Sequence, residues 1–266
     1  MSERLKSKLC YFLSLTIMIS ILLGATYLGF MQKLDIDIMK NMELVYSGEN
    51  GNATLRVRNS SKAIDQRVDA LVDTVKYQAS PNSGLSNGDT VHIVASYDKE
   101  VAKQYKFRIK ETSKDITVEG LPSQYPNLAA INTDYLEAIE DAANDYIQDH
   151  RTSIYQVEVD ENEKHPHLNE KTVMYKAFMK SKESGISDRV LEIVRLNYEN
   201  VTLYYMVIVP DINDSNEVVK QDVYGQKATM TNEEIENQSF KEYVARIFGD
   251  KYTIEDMANK EADASK

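Results

Sequence analysis

The hydrophobic pattern is densest at the start of the chain. Residues 9–31, LCYFLSLTIMISILLGATYLGFM, hold no charged side chain. At about 1.5 Å per residue, a helix of that length would reach across a hydrocarbon core of about 30 Å. Ser14, Thr16, Ser20 and Thr26 fit such a helix, because small hydroxyls bond back to their own backbone carbonyls. Arg4, Lys6 and Lys8 precede the run against Glu3, so positive-inside bias predicts a cytoplasmic tail 1–8, an uncleaved signal anchor 9–31 and an extracellular remainder. A cleaved signal peptide fits less well, since the run exceeds about 7–15 residues and no small-x-small site follows it. The expectation is a single-pass cell-membrane protein that meets the lipid bilayer through this helix.

Beyond it the pattern is mostly that of strands. The alternation at 34–38 predicts a short stalk over 32–41 or a continuing helix. Residues 42–46 and 53–58 read as strands around the turn Ser47-Gly-Glu-Asn-Gly51. Residues 64–75 carry both helical and strand periodicity, and a short helix to Asp73 followed by a strand through Ala79 satisfies both. Asn87-Gly88 supplies the positive φ of a tight turn before the strand 90–97, where Val91, Ile93, Ala95 and Tyr97 share a face. Residues 98–105 read as one or two helical turns, and 105–109 with 115–118 as a second hairpin. The break at Gly120-Leu-Pro-Ser-Gln-Tyr-Pro126 closes a β-rich domain, 42–121, ahead of a linker, 122–130.

In the second domain, 131–255, Asn132 or Thr133 caps a helix to about Gln148, with Tyr135, Ile139, Ala142, Tyr146 and Ile147 on its apolar stripe. Strand-like runs follow at 153–159, 173–180, 189–198 and 201–209, with a further one at 218–224. The run 201–209, VTLYYMVIV, is apolar on both faces and reads as a central strand. Thr231-Asn-Glu-Glu234 is a capping box opening a helix through Phe248. A charged tail, 256–266, ends the chain. The expected class is therefore α+β: one transmembrane helix, a small β-rich domain, then a cystatin-like or nuclear-transport-factor-2-like domain in which a curved antiparallel sheet wraps a helix.

Charge narrows the partners. The chain of 266 residues has a formal net charge of −11, more negative still without its basic first eight residues. That is a poor match for nucleic acid, whose binding needs clustered Lys and Arg. There is no Trp, but 17 Tyr suit strands and wet interfaces. The one cysteine, Cys10, lies at the edge of the apolar run. The region after it can therefore hold no internal disulfide, thiolate–zinc site or cysteine nucleophile.

The stretches Val45-Tyr-Ser-Gly-Glu-Asn-Gly51, Leu85-Ser-Asn-Gly-Asp89 and Thr117-Val-Glu-Gly-Leu121, with the Tyr-rich tract 201–212, give the chain a likeness. Over 42–248 it resembles the exported regions of Gram-positive envelope proteins of the zinc-ribbon, teicoplanin-resistance-associated type. The ribbon itself is missing, because its cysteines are. The resemblance implies an envelope role in scaffolding or sensing and carries no site residue.

Candidate chemistry is sparse. Glu161-Asn-Glu-Lys-His165-Pro-His167 gathers two histidines and two carboxylates, but a metal would need a third ligand from elsewhere, and a charged loop between strands is the simpler reading. Asp211-Ile-Asn213-Asp214-Ser-Asn216-Glu217 has oxygen ligands for calcium but lacks the glycine and spacing of an EF-hand loop, so it reads as a solvated turn. Ser96-Tyr-Asp-Lys99 matches the Ser-x-x-Lys of penicillin-recognising enzymes, but Ser96 ends a strand and no Lys-Thr-Gly follows. His92 lies in a strand, facing away from Val91 and Ile93, and reads as an exposed or satisfied histidine. No phosphate-binding loop, dinucleotide fingerprint or His-Glu-x-x-His is present. The sequence thus predicts no catalytic, cofactor-binding or metal residue and no cofactor. It predicts a non-enzymatic binding or scaffolding protein whose partner is an envelope protein or a cell-wall polymer. The alternatives are a cell-wall hydrolase or transferase using acidic residues of the second domain, and an extracellular ligand sensor.

Overall fold

The computed structural model describes residues 3–31, 33–60, 65–157 and 167–257; for 3–10, 28–31 and 41 it describes the backbone alone. The chain divides into two compact units. One comprises Met1–Tyr46, Leu55–Asn82 and Thr90–Thr117; the other comprises Ser47–Thr54, Ser83–Asp89 and Val118–Lys266.

The first unit opens with helix α1, Glu3–Met31. Ser14 donates to the Tyr11 carbonyl at 2.9 Å, Thr16 to Phe12 at 2.8 Å and Thr26 to Leu22 at 3.0 Å, as expected for hydroxyls in a helix. Among the described residues, however, no helix is long and apolar enough to cross a membrane. The transmembrane signal anchor, and the cell-membrane and extracellular placement built on it, are corrected accordingly. So is the fold class that contained the anchor, which becomes an α+β fold with six α-helices among the described residues.

Strand β1, Leu34–Ile36, follows, and then a 3-10 turn, Ile38–Asn41, in which Ile38 and Met39 are buried. Strands β2, Met42–Ser47, and β3, Thr54–Asn59, form the expected hairpin. Helix α2, Gln66–Val72, and strand β4, Lys76–Ser80, resolve the mixed periodicity as helix then strand. Strand β5, Thr90–Ser96, buries Val91, Ile93 and Ala95 in strict alternation, and helix α3, Lys99–Gln104, is capped by Asp98. The expected hairpin over 105–118 is not made. Strand β6, Phe107–Ile109, pairs in parallel with β1, while β7, Ser113–Thr117, pairs with β5 in a β4-β5-β7 sheet. Arg108 locks the β1–β6 register by reaching both carboxylate oxygens of Asp35, at 2.6 and 3.0 Å.

In the second unit, helix α4 runs from Thr133 to Gln156 behind an Asn132 cap. It therefore takes in the start of the run expected to be a strand at 153–159. Ile147, Ile154 and Tyr155 recur on one helical face and are all buried, which outweighs the strand preference of Ile154 and Tyr155. Strands β8, Leu168–Ser181, β9, Arg189–Tyr198, β10, Thr202–Val209, and β11, Tyr224–Lys227, come next. Helix α5, Asn232–Glu236, carries the expected Thr231–Glu234 capping box but stops at once, because Gln238 adopts a positive φ of 53°. Helix α6, Phe240–Phe248, restarts the turn, and strand β12, Tyr252–Asp256, completes an antiparallel sheet ordered β11-β10-β9-β8-β12.

Alternate residues of the sheet enter two cores. Val190, Val194, Leu203, Val207 and Val209 pack with the α4 stripe, whereas Leu191, Ile193, Met206 and Ile208 pack with Phe240, Tyr243 and Val244 of α6. The sheet is thus covered on both faces rather than wrapped around one helix. Strand β10 is the doubly buried strand its sequence predicts.

Candidate functional site

Within the second unit, residues 118–132 and 211–217 are stitched together. Ser123 donates its amide to Asp214 Oδ1 at 2.7 Å, and the Asp214 amide returns to the Ser123 carbonyl at 3.0 Å. Asn216 Oδ1 accepts from both Tyr125 and Asn132 at 2.7 Å, and the Tyr135 hydroxyl donates to the Glu217 carbonyl at 3.1 Å. Asp214 and Asn216, two of the side chains that sequence offers to calcium, therefore each spend an oxygen on holding the chain. Burial raises the Tyr135 hydroxyl to about 12, so it stays a neutral donor.

The turn 47–54 closes on this framework. The Asn50 amide donates to the Pro122 carbonyl at 2.8 Å, and the Asn87 amide donates to Asn50 Oδ1, also at 2.8 Å. Glu49 is gripped at both oxygens: Asn213 Nδ2 reaches Oε1 and Gln124 Nε2 reaches Oε2, each at 3.0 Å. Gln124 also donates to the Ile186 carbonyl at 3.0 Å. Burial pushes the Glu49 carboxyl up from its ordinary value, against the two amide donors, and the charges of Asp188 and Asp211 add to the rise. Yet both partners are donors, which is the arrangement an ionised carboxylate satisfies.

Between this turn, Gln124, the loop 184–187 and Asp211 lies a pocket of about 200 Å³. Its chemistry comes from Glu49, Asn52, Gln124, Ser184, Ser187 and Asp211. Two glycines shape it. Gly48 has φ +97°, and Gly185 has φ +86° with Asn52 Nδ2 only 2.4 Å from where a Cβ would stand. Next to Ser187, the fully buried Asp188 accepts the Ser181 amide at 2.7 Å and lies 3.5 Å from Lys180 Nζ. Burial raises Asp188, while Ser181 and Lys180 hold it down.

No Lys, Arg, His or Cys lines the pocket, and among the described residues neither Glu49 nor Asp211 is ion-paired. The two serines therefore have no imidazole or amine in the pocket lining of the kind that activates a serine nucleophile. Among the described residues no group of three or more His, Cys, Asp and Glu is placed to hold a metal ion.

Among the described residues, the other sequence candidates do not line the pocket. His165 falls outside the described residues, and His167 is exposed just before β8. Ser96 Oγ donates to the Lys76 carbonyl at 3.3 Å, while Lys99 opens α3 beyond the Asp98 cap. His92 pairs across the β5–β7 ladder with Asp115, at 2.6 Å and exposed. Of the described residues that sequence weighed as chemistry, Asp211 lines the pocket and Asn213 supports it through Glu49. Glu49, Gln124 and Ser187 were not singled out, and the turn glycines around Glu49 were the one available hint. Comparison with known proteins finds no matching family model, no matching curated protein and no matching solved structure.

Proposed function

We propose that this chain is a non-catalytic binding module whose second unit recognises a polar group of its partner, a protein or a hydroxyl-rich polymer, in the pocket around Glu49 and Asp211. The observation that carries the reading is the pocket's composition. Carboxylates, amides and hydroxyls converge there without a cation, thiol or imidazole, the combination that hydrogen-bonds a ligand's hydroxyl or amino groups rather than attacking it. The amides that grip Glu49 fix one of these groups before a ligand arrives, which lowers the ordering cost of binding.

A second reading rests on one observation: a carboxyl raised by burial, Glu49, shares a pocket with a second carboxylate, Asp211. Hydrolases of glycosidic bonds use such pairs as acid and base. The two readings part in one experiment. A photoreactive side chain at Ser184 of the full chain, with mass spectrometry of what it captures in cells, should yield a partner carried unchanged. Capture should fall at least tenfold when Asp211→Arg fills the pocket. A captured polymer that is shortened on incubation, with shortening lost in Glu49→Gln, would replace the binding reading with the hydrolytic one.

A further inference from the structure

Beneath α4, away from the pocket residues, lies a charge group that the binding reading does not use. Lys176 of β8 is directly across from Glu192 of β9, and both point into the layer between sheet and helix. Lys176 Nζ stands 2.9 Å from Glu140 Oε1 of α4 and 3.5 Å from Glu192 Oε1, with side-chain exposures of 7%, 23% and 2% for Lys176, Glu140 and Glu192. Glu192 Oε1 has no hydrogen-bond partner. The other cation acting on Glu192 is Lys171 of β8, whose ammonium is hydrogen-bonded to Asn144 of α4. From β10 the facing residue is Val207, and along β9 the same face continues as Val190 and Val194, so neither strand offers a further charge.

Among the described residues, two carboxylates share the one ammonium within ion-pair distance of both, with Lys171 as a further counterion that is also bound to Asn144. Glu192 Oε1 is left without a hydrogen bond in a layer where charge is costly. We infer that the Glu140–Lys176–Glu192 triad is a one-proton site through which the docking of α4 on the sheet responds to pH. With Glu192 neutral, Lys176 serves Glu140 alone at 2.9 Å; with Glu192 ionised, a carboxylate with an unpartnered oxygen is held in the buried layer. Burial pushes Glu192 up from 4.5, and Glu140 adds to the rise, against the pull of Lys176 and Lys171. A carboxyl raised on folding binds its proton more tightly in the folded state. Its stabilising contribution is therefore complete below the unfolded value and is lost as pH rises through the folded one.

The test is denaturant unfolding of the full chain, followed by circular dichroism, at pH values from about 5 to about 8, together with ¹³C NMR titration of the glutamate carboxyls. One released proton lowers the folding equilibrium constant by up to about tenfold per pH unit within its window. The wild-type chain should show that fall, to which the raised carboxyls of Glu49 and Asp188 also contribute. Glu192→Gln should make it shallower by one proton's share, and Glu140→Gln, which leaves Lys176 to Glu192, should make it shallower too. The Glu192 carboxyl should titrate above the ordinary glutamate range. A Glu192→Gln chain with the wild-type slope, or a Glu192 carboxyl titrating at its ordinary value, would overturn the inference. If Glu192→Gln does not fold, the NMR titration and Glu140→Gln decide the matter in the same way.

Discussion

Glu49 sits half-buried with an amide on each oxygen and, among the described residues, no ion-pair partner, and that one side chain sets the character of the pocket. Its supports are as important as its charge. Asn213 is buried and bridges Glu49 to Ser215, which donates its hydroxyl to Asn213 Oδ1 at 2.6 Å. Asn213→Ala should strip Glu49 of one donor and lower stability by about 1–3 kcal/mol in denaturant unfolding. Gly185→Ala meets two obstacles, a positive φ and Asn52 in the place of its Cβ. It should cost about 1–2 kcal/mol for the conformation alone, and ligand binding should weaken because the 184–187 loop must shift away from Asn52. At this scale the sequence shows which residues can carry charge and which glycines mark turns. It does not show that Glu49 would meet Asn213, 164 positions away, since nothing local encodes that contact.

Elements with long, periodic faces were readable: β5, β9, β10, the start of α4 and the Thr231 capping box all lie where the pattern places them. Elements defined by a distant partner were not. Strand β6 is three residues that pair with β1 across 73 positions, and β12 borrows its register from β8. Short strands of this kind carry too little alternation to stand out. The continuation of α4 was hidden for another reason, because burial against the sheet overrode local preference at Ile154 and Tyr155. Ile147→Ala, in the middle of that stripe and fully buried, should lower stability by about 2–5 kcal/mol. Thr231→Ala removes the box that opens α5 and should cost about 1 kcal/mol, with amide exchange rising chiefly over 232–236.

Across the whole molecule, buried and exposed carboxyls pull stability in opposite directions with pH. Burial raises Glu49, Asp188 and Glu192, so their contributions weaken as pH climbs through their folded values. Hydrogen bonding to Lys241 lowers Asp256, and the Thr231 amide with Arg246 lowers Glu234, so theirs weaken as pH falls through theirs. Unfolding midpoints should therefore peak at mildly acidic pH and decline on both sides; a midpoint rising steadily to pH 8 would contradict that balance. Sequence reports the acidic excess but cannot say which carboxyls folding removes from water. The claim on which the functional account rests is that the pocket of the second unit binds without catalysing. The most direct measurement is amide NMR of the full chain titrated with a library of small hydroxylated and amine-bearing compounds, each recovered and analysed by mass spectrometry. The account predicts saturable shifts centred on 48–52, 184–187 and Asp211, with every compound recovered intact. Shifts confined to residues outside the pocket, or a compound converted on contact, would contradict it.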